Sequence, residues 1–337
     1  MLNRRTFLLG SAALAVMRRA MASPNRVIDV HHHYFSPDYL KRASGEVSAR
    51  SKGYQQVLQW TVDRSLEEMD TSGVATAVLS MSAPLWFGDP VETRELARAA
   101  NEFAGSLARQ YPGRFGYFAS LPLPDIGDAV AEAAWALDQG GADGVILLTN
   151  YDDLYLGDSR FAPLLEELDR RNAVVYVHPT TASCCENLTP DIQPAFLELP
   201  FDTTRTIASL LYSGALSRFQ GIRFIFSHGG GTIPFLADRL SQWARARPDL
   251  ATRLPDGPMA ELRCLNFDTA SVTNRMTMAA LGAFIPWSQL LFGTDYPYVH
   301  AAPQLAELEN SGLPPADLQD ICCRNAQRLM PGLASTV

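Results

Sequence analysis

No Cys-x-x-Cys pair occurs among the five cysteines of this 337-residue chain, which fall as Cys184-Cys185, Cys264 and Cys322-Cys323. An odd number containing two adjacent pairs fits neither a disulfide framework nor a zinc-ribbon or thiol-exchange site, so mostly free thiols are expected. Low-complexity tracts and recognisable repeats are missing too, which argues against disordered and solenoid architectures. No glycine-rich phosphate turn follows the first apolar run, where a doubly wound nucleotide-binding sheet would carry one. Positive charge is scarce: the formal net charge is −8, and without clustered cations no nucleic-acid partner is expected.

What is present is an ordinary globular composition, 47% apolar and 19% charged, enough to bury one large core in an α/β barrel of common size. The first 22 residues read differently. Arg4-Arg5 leads into an apolar stretch from Phe7 through Val16, and Ala20-Met21-Ala22 offers a small-x-small cleavage site. This is the pattern of a twin-arginine signal peptide and predicts a periplasmic protein whose residues 23–337 form a single catalytic domain. The apolar part is about 11 residues, short of the roughly 20 that cross a bilayer, so no stable membrane insertion is expected after processing. Removing the leader takes away four arginines and no acids, leaving the chain more acidic still.

Apolar runs bounded by turn signals predict eight strands, at 27–33, 76–80, 115–121, 144–148, 173–178, 223–228, 265–269 and 290–294. Helical periodicity separates most of them, as in Leu96, Ala100, Phe103 and Leu107, where the spacing is three or four residues. Alternating strands and helices predict a closed, right-handed (β/α)8 TIM barrel. In such barrels the chemistry sits at the C-terminal strand ends. Residues 37–61 and 181–201 leave that rim as long loops.

Five of the six histidines lie at strand ends, and the sixth, His300, follows the last. Because strand side chains alternate, His31 and His33 face one way and His32 the other. His31, His33, His178 and Asp295 then converge on the barrel mouth as a ligand set for zinc or another divalent ion. Asp295 is also the candidate general acid or base. His228, ahead of Gly229-Gly230-Gly231, is read as oriented toward substrate or as a packed core histidine. Asp29 either orients a liganding imidazole or is structural. Asp202 caps a helix beginning near Phe201 or reaches the pocket. Tyr298 and His300 follow Asp295 on a loop where substrate contact is expected, and Arg239 reads as a solvated charge on a helix.

Taken together, Ile28-Asp29-Val30-His31-His32-His33, Met69-Asp70-x-x-Gly73-Val74, His178-Pro179, Ser227-His228 with its glycines, Phe267-Asp268-Thr269-Ala270 and Phe292-Gly293-Thr294-Asp295-Tyr296-Pro297 resemble the amidohydrolase superfamily. The nearest resemblance is to the metal-dependent decarboxylases similar to aminocarboxymuconate semialdehyde decarboxylase. Tyr117-Phe118-Ala119-Ser120-x-Pro122, Ala142-Asp143-Gly144-Val145, Tyr155-Leu156-Gly157 and Val177-His178-Pro179-Thr180 look most like the 6-methylsalicylate decarboxylases among them. The resemblance implies an amidohydrolase-type barrel, zinc or manganese on His31, His33, His178 and Asp295, and His228 as an active-site histidine. It also implies a homodimer across which Arg239 reaches a carboxylate, and a small aromatic carboxylate as substrate. Where the semialdehyde decarboxylase carries a substrate-binding arginine, this chain has Ser65, with Arg64 one place away, which argues against that particular substrate. A hydrolase or hydratase acting on a lactone or amide would use the same ligands, and a silent binding protein would need only the fold.

Overall fold

Seven of the eight apolar runs form regular strands of three or more residues and the eighth a two-residue strand, in a computed structural model that describes residues 26–50, 55–185, 188–189 and 191–334. The leader, residues 1–22, lies outside the described residues. The strands among the described residues are β1 Val27–His33, β2 Val74–Ser80, β3 Phe115–Ser120, β4 Gly144–Leu148, β5 Asn150–Tyr151, β6 Leu154–Tyr155, β7 Val174–His178, β8 Arg223–Phe226, β9 Asn266–Asp268 and β10 Leu290–Leu291. Eight of them form one sheet, parallel throughout, in the order β1-β2-β3-β4-β7-β8-β9-β10. The sheet closes on itself where Val30 N–H donates to Phe292 C=O at 3.0 Å and Asp295 N–H donates to His31 C=O at 2.8 Å. The result is a (β/α)8 barrel.

β5 and β6, absent from the sequence reading, form a hairpin whose two turn residues, Asp152 and Asp153, both have positive φ. That is the backbone of a tight hairpin turn, and aspartate tolerates it better than most residues. The last strand is shorter than its apolar run because the N–H groups of Phe292, Gly293 and Thr294 go to Ile321 C=O, the Thr269 hydroxyl and Asp29 Oδ1 rather than to a neighbouring strand's carbonyls. Within the expected loop 37–61, the described residues build a helix, Pro37–Arg50, and a short one, Gln55–Leu58. In the segment 181–201, helix Glu198–Ser213 starts before the expected Phe201.

One irregularity decides which side chains enter the mouth. Along β1 the register with β2 runs Asp29↔Ala77 and then His32↔Leu79, so Val30 and His31 stand opposite the single residue Val78. Such a bulge shifts the alternation by one residue. His31 and His33 point inward and His32 outward, as expected, but Asp29 falls in phase with His32 rather than His31. The interior below the mouth is filled by Ile28, Val30, Val78, Phe118, Ile146, Tyr176, Ile225 and Leu291. Cys323, Ala326, Met330 and Leu333 pack into the same cluster and stopper the opposite end. All five cysteines are free.

Candidate metal centre

Two strands, β1 and β7, and the turn after a third, β10, bring four donors to one point. His31 Nε2 lies 3.1 Å from His33 Nε2, and Asp295 Oδ1 lies 3.1 Å from the first and 3.0 Å from the second. With His178 from the end of β7, one donor atom from each residue falls within 4.8 Å of all the others. Gly293 permits this crowding, since a Cβ there would stand 2.8 Å from His31 Cβ.

The outer hydrogen bonds fix which nitrogen faces inward. His31 Nδ1 meets Asp268 Oδ2 at 2.8 Å, and His33 Nδ1 meets the carbonyl and hydroxyl of Ser80 at 3.2 and 3.1 Å. A carboxylate and a carbonyl accept only, so both Nδ1 atoms carry the hydrogen and both Nε2 atoms present lone pairs. Two lone pairs and a carboxylate oxygen about 3 Å apart repel unless a cation lies among them. The local electrostatics state the same demand. Burial disfavours a charged His31, yet Asp268 and Asp295 outweigh it and raise its pKa to about 10. Burial lowers His33, and burial with the neighbouring His33 and His31 lowers His178 well below its ordinary value. Asp295, which burial alone would raise, is held well below the usual carboxylate range by His31 and His33. With an ion in place of the proton that the raised pKa keeps on His31, three neutral imidazoles and an ionised carboxylate are the donor set of a zinc or manganese site.

His228 stands at the rim. Its backbone has φ 53°, a strained conformation for a residue with a Cβ, and its N–H donates to Asp268 Oδ1 at 2.8 Å. Nδ1 lies 3.1 Å from Ala270 C=O, so it carries the hydrogen and Nε2 is turned toward Asp295 Oδ2 at 3.8 Å. Tyr298 sets its ring 5.8 Å from that of His33, centroid to centroid.

Other expected residues are placed differently. Asp29 serves no liganding side chain: it takes His32 Nδ1 at 3.0 Å and the N–H and hydroxyl of Thr294, the consequence of the bulge in β1. His32 also meets Ser65 Oγ at 2.6 Å and stacks on Tyr296, so Ser65 stands where a longer side chain would not fit. Asp202 caps no helix, because the helix begins four residues earlier. It is fully buried and accepts from the Thr149 hydroxyl, Asn150 Nδ2 and Tyr155 OH, which leaves no oxygen turned to a substrate. His300 is exposed and paired with Glu68 at 2.7 Å. Arg239 is exposed on helix Ile233–Arg245. Asp268, seen in the sequence only as part of a motif and given no role there, holds His31, His228 N–H and the Tyr176 hydroxyl together. Its place at a strand end, like that of His178, was the available signal.

Proteins of known activity are similar to this chain in sequence or in fold. The chain is 38% identical over 286 residues to decarboxylase macB of Penicillium terrestre, covering 80% of this chain and 84% of that one. It is 34% identical over 319 residues to 6-methylsalicylic acid decarboxylase acuB of Aspergillus aculeatus, with 91% and 96% covered. Among solved structures, 5-carboxyvanillate decarboxylase from Novosphingobium aromaticivorans, complexed with manganese and 4-hydroxy-3-methoxy-5-nitrobenzoic acid, superposes with a TM-score of 0.82 at 18% identity, covering 93% of this chain and 97% of its own. That likeness is one of fold. The amidohydrolase family model matches residues 28–331, nearly the whole barrel with its four converging donors, and the chain belongs to the amidohydrolase family.

Proposed function

We propose that this protein is a metal-dependent carboxy-lyase that removes carbon dioxide from an ortho-hydroxybenzoate of the 6-methylsalicylate type. The observation that carries the reading is the cluster of His31 Nε2, His33 Nε2 and Asp295 Oδ1, about 3 Å apart with lone pairs facing one another. The decarboxylases of similar sequence support the reaction class, and the manganese complex of a protein of the same fold supports a divalent ion. His31, His33, His178 and Asp295 would hold zinc, with manganese as the alternative. Bound there, the ion supplies Lewis-acid stabilisation for a chelating carboxylate and phenolate.

The chain's own residues do the rest. Asp295, ionised in the free site, takes up the proton released as the substrate phenol becomes a phenolate, and from Oδ2, on the side facing His228 Nε2, that proton reaches the ring carbon that bears the carboxylate. The carbon–carbon bond then breaks, its electrons restore the aromatic ring, and carbon dioxide departs. Protonation first avoids a free aryl anion. Ala270 C=O fixes the other nitrogen of His228 as the N–H, so Nε2 faces that oxygen as an acceptor and orients the carboxyl group. The Tyr298 ring, set against His33, forms a wall for the substrate ring.

Arg239 acts across a homodimer. Phe235, one turn before it on the same helix, is 88% exposed, and Met276 on the adjoining helix Arg275–Phe284 is 83% exposed. An exposed apolar surface beside a cation suits a second copy of the chain, which would carry Arg239 toward the partner's substrate carboxylate. The leader, residues 1–22, directs the folded protein to the periplasm. To test the reaction, protein loaded with zinc or manganese is incubated with hydroxybenzoates and, separately, with lactones. Carbon dioxide release with loss of the benzoate absorbance is expected; lactone opening without carbon dioxide would make the protein a hydrolase instead.

A further inference from the structure

Each liganding imidazole needs something to fix its orientation. His31 has Asp268 and His33 has Ser80, but His178 Nδ1 is buried with no hydrogen-bond partner among the described residues. The position of His178 therefore rests on its main chain. Thr149, at the end of β4, donates its N–H to His178 C=O at 3.0 Å. Its hydroxyl oxygen accepts Thr180 N–H at 3.0 Å, two residues beyond His178, and its hydroxyl hydrogen goes to Asp202 Oδ2. One threonine thus grips the strand on both sides of the ligand.

Asp202 holds that threonine in place. Its carboxylate is fully buried and receives three donors, the Thr149 hydroxyl and Asn150 Nδ2 on Oδ2 and Tyr155 OH at 2.6 Å on Oδ1. Only an acceptor-only group can take three such donors from opposite sides. An amide would put an N–H against one of them, release the Thr149 rotamer and free the grip on Thr180. Arg205 Nη1 lies 3.7 Å from Asp202 Oδ1.

We infer that Asp202 is a positioning residue for the metal ligand His178, acting through Thr149, and that divalent-ion affinity is the property it sets. The inference rests on the metal reading above. It is tested by titrating the full-length protein with zinc and with manganese against a fluorescent chelator. Asp202→Asn should weaken binding roughly 10- to 100-fold, the usual effect of losing an outer partner of a ligand. Thr149→Val, which keeps the shape but removes the hydroxyl, should do the same, and Thr149→Ser should restore wild-type affinity. Tyr155→Phe removes a donor from the other oxygen without touching Thr149 and should leave affinity nearly unchanged. With excess ion, kcat of Asp202→Asn should return toward the wild-type value. Wild-type binding together with undiminished binding in Asp202→Asn and Thr149→Val would overturn the inference alone, even if both variants melt earlier. A wild-type chain that binds neither ion would overturn the functional reading beneath it.

Discussion

Asp268 carries more of the site than its single negative charge suggests. It accepts from His31 Nδ1, from the Tyr176 hydroxyl at 2.8 Å and from the N–H groups of His228 and Ala270, all without contact with solvent. Replacing it with asparagine leaves His31 free to turn its hydrogen toward the donors. Divalent-ion affinity should fall 10- to 100-fold, measured by chelator competition. Asp295→Asn keeps a ligand oxygen but loses the proton carrier, and kcat should drop by roughly 10²- to 10⁴-fold. Rapid-quench measurement of carbon dioxide release checks this, and an unaltered kcat would move the proton donor elsewhere. At this scale the sequence was legible where a residue type is rare and its spacing diagnostic, as with His31, His33, His178 and Asp295. It was less so where a common residue serves by contact. Asp202, Asp268 and Asp29 look alike as letters, and only their hydrogen-bond partners separate a clamp, a hub and an anchor for His32.

Periodicity located the strands because burial on both faces leaves a continuous apolar run, the commonest pattern in a parallel sheet. It could not locate the bulge in β1, which leaves the composition unchanged and depends on which backbone groups of β1 find partners in β2. Nor did it find helix Pro37–Arg50, whose residues carry no clear apolar stripe. A partly buried carboxylate just before β4 offers a test at the level of elements. Asp143 accepts Tyr117 N–H from β3 at 3.0 Å, and burial pushes its pKa up to about 6. In the unfolded chain it titrates near 4, so the folded form binds this proton more tightly. Its stabilising contribution is therefore complete below about pH 4 and is lost as the pH rises through about 6. Asp143→Asn, with its carbonyl toward Tyr117, should gain on the order of 2 kcal/mol at pH 8 and nothing at pH 3.5 in urea denaturation. An equal gain at both values would mean that the carboxylate is not the cause.

For the molecule as a whole, the apolar surface around Phe235 and Met276 gives the proposed dimer a direct check. Phe235→Asp should convert a dimer to a monomer by light scattering and remove activity along with it, while divalent-ion binding stays intact because all four donors come from one chain. A wild-type protein that is monomeric and fully active would remove Arg239 from the reaction. Metal removal should also lower the melting temperature, because an ion that binds only the folded barrel stabilises it by mass action.

The far end of the barrel has its own consequence. Cys323, Ala326, Met330 and Leu333 pack beneath Ile28 and Val30, and the segment is stitched there by Phe292 N–H to Ile321 C=O, by Asn325 Nδ2 to Leu290 C=O and by Arg223 to Leu329 C=O. The first strand and the closing segment are thus neighbours in space although some 290 residues separate them in the chain, a high-contact-order pairing. A ribosome that has not yet released residues 321–334 is holding a cylinder with an open floor. Export of the folded protein, as proposed above, would then require residues 321–334, and a chain cut after residue 320 should be retained and bind a hydrophobic dye.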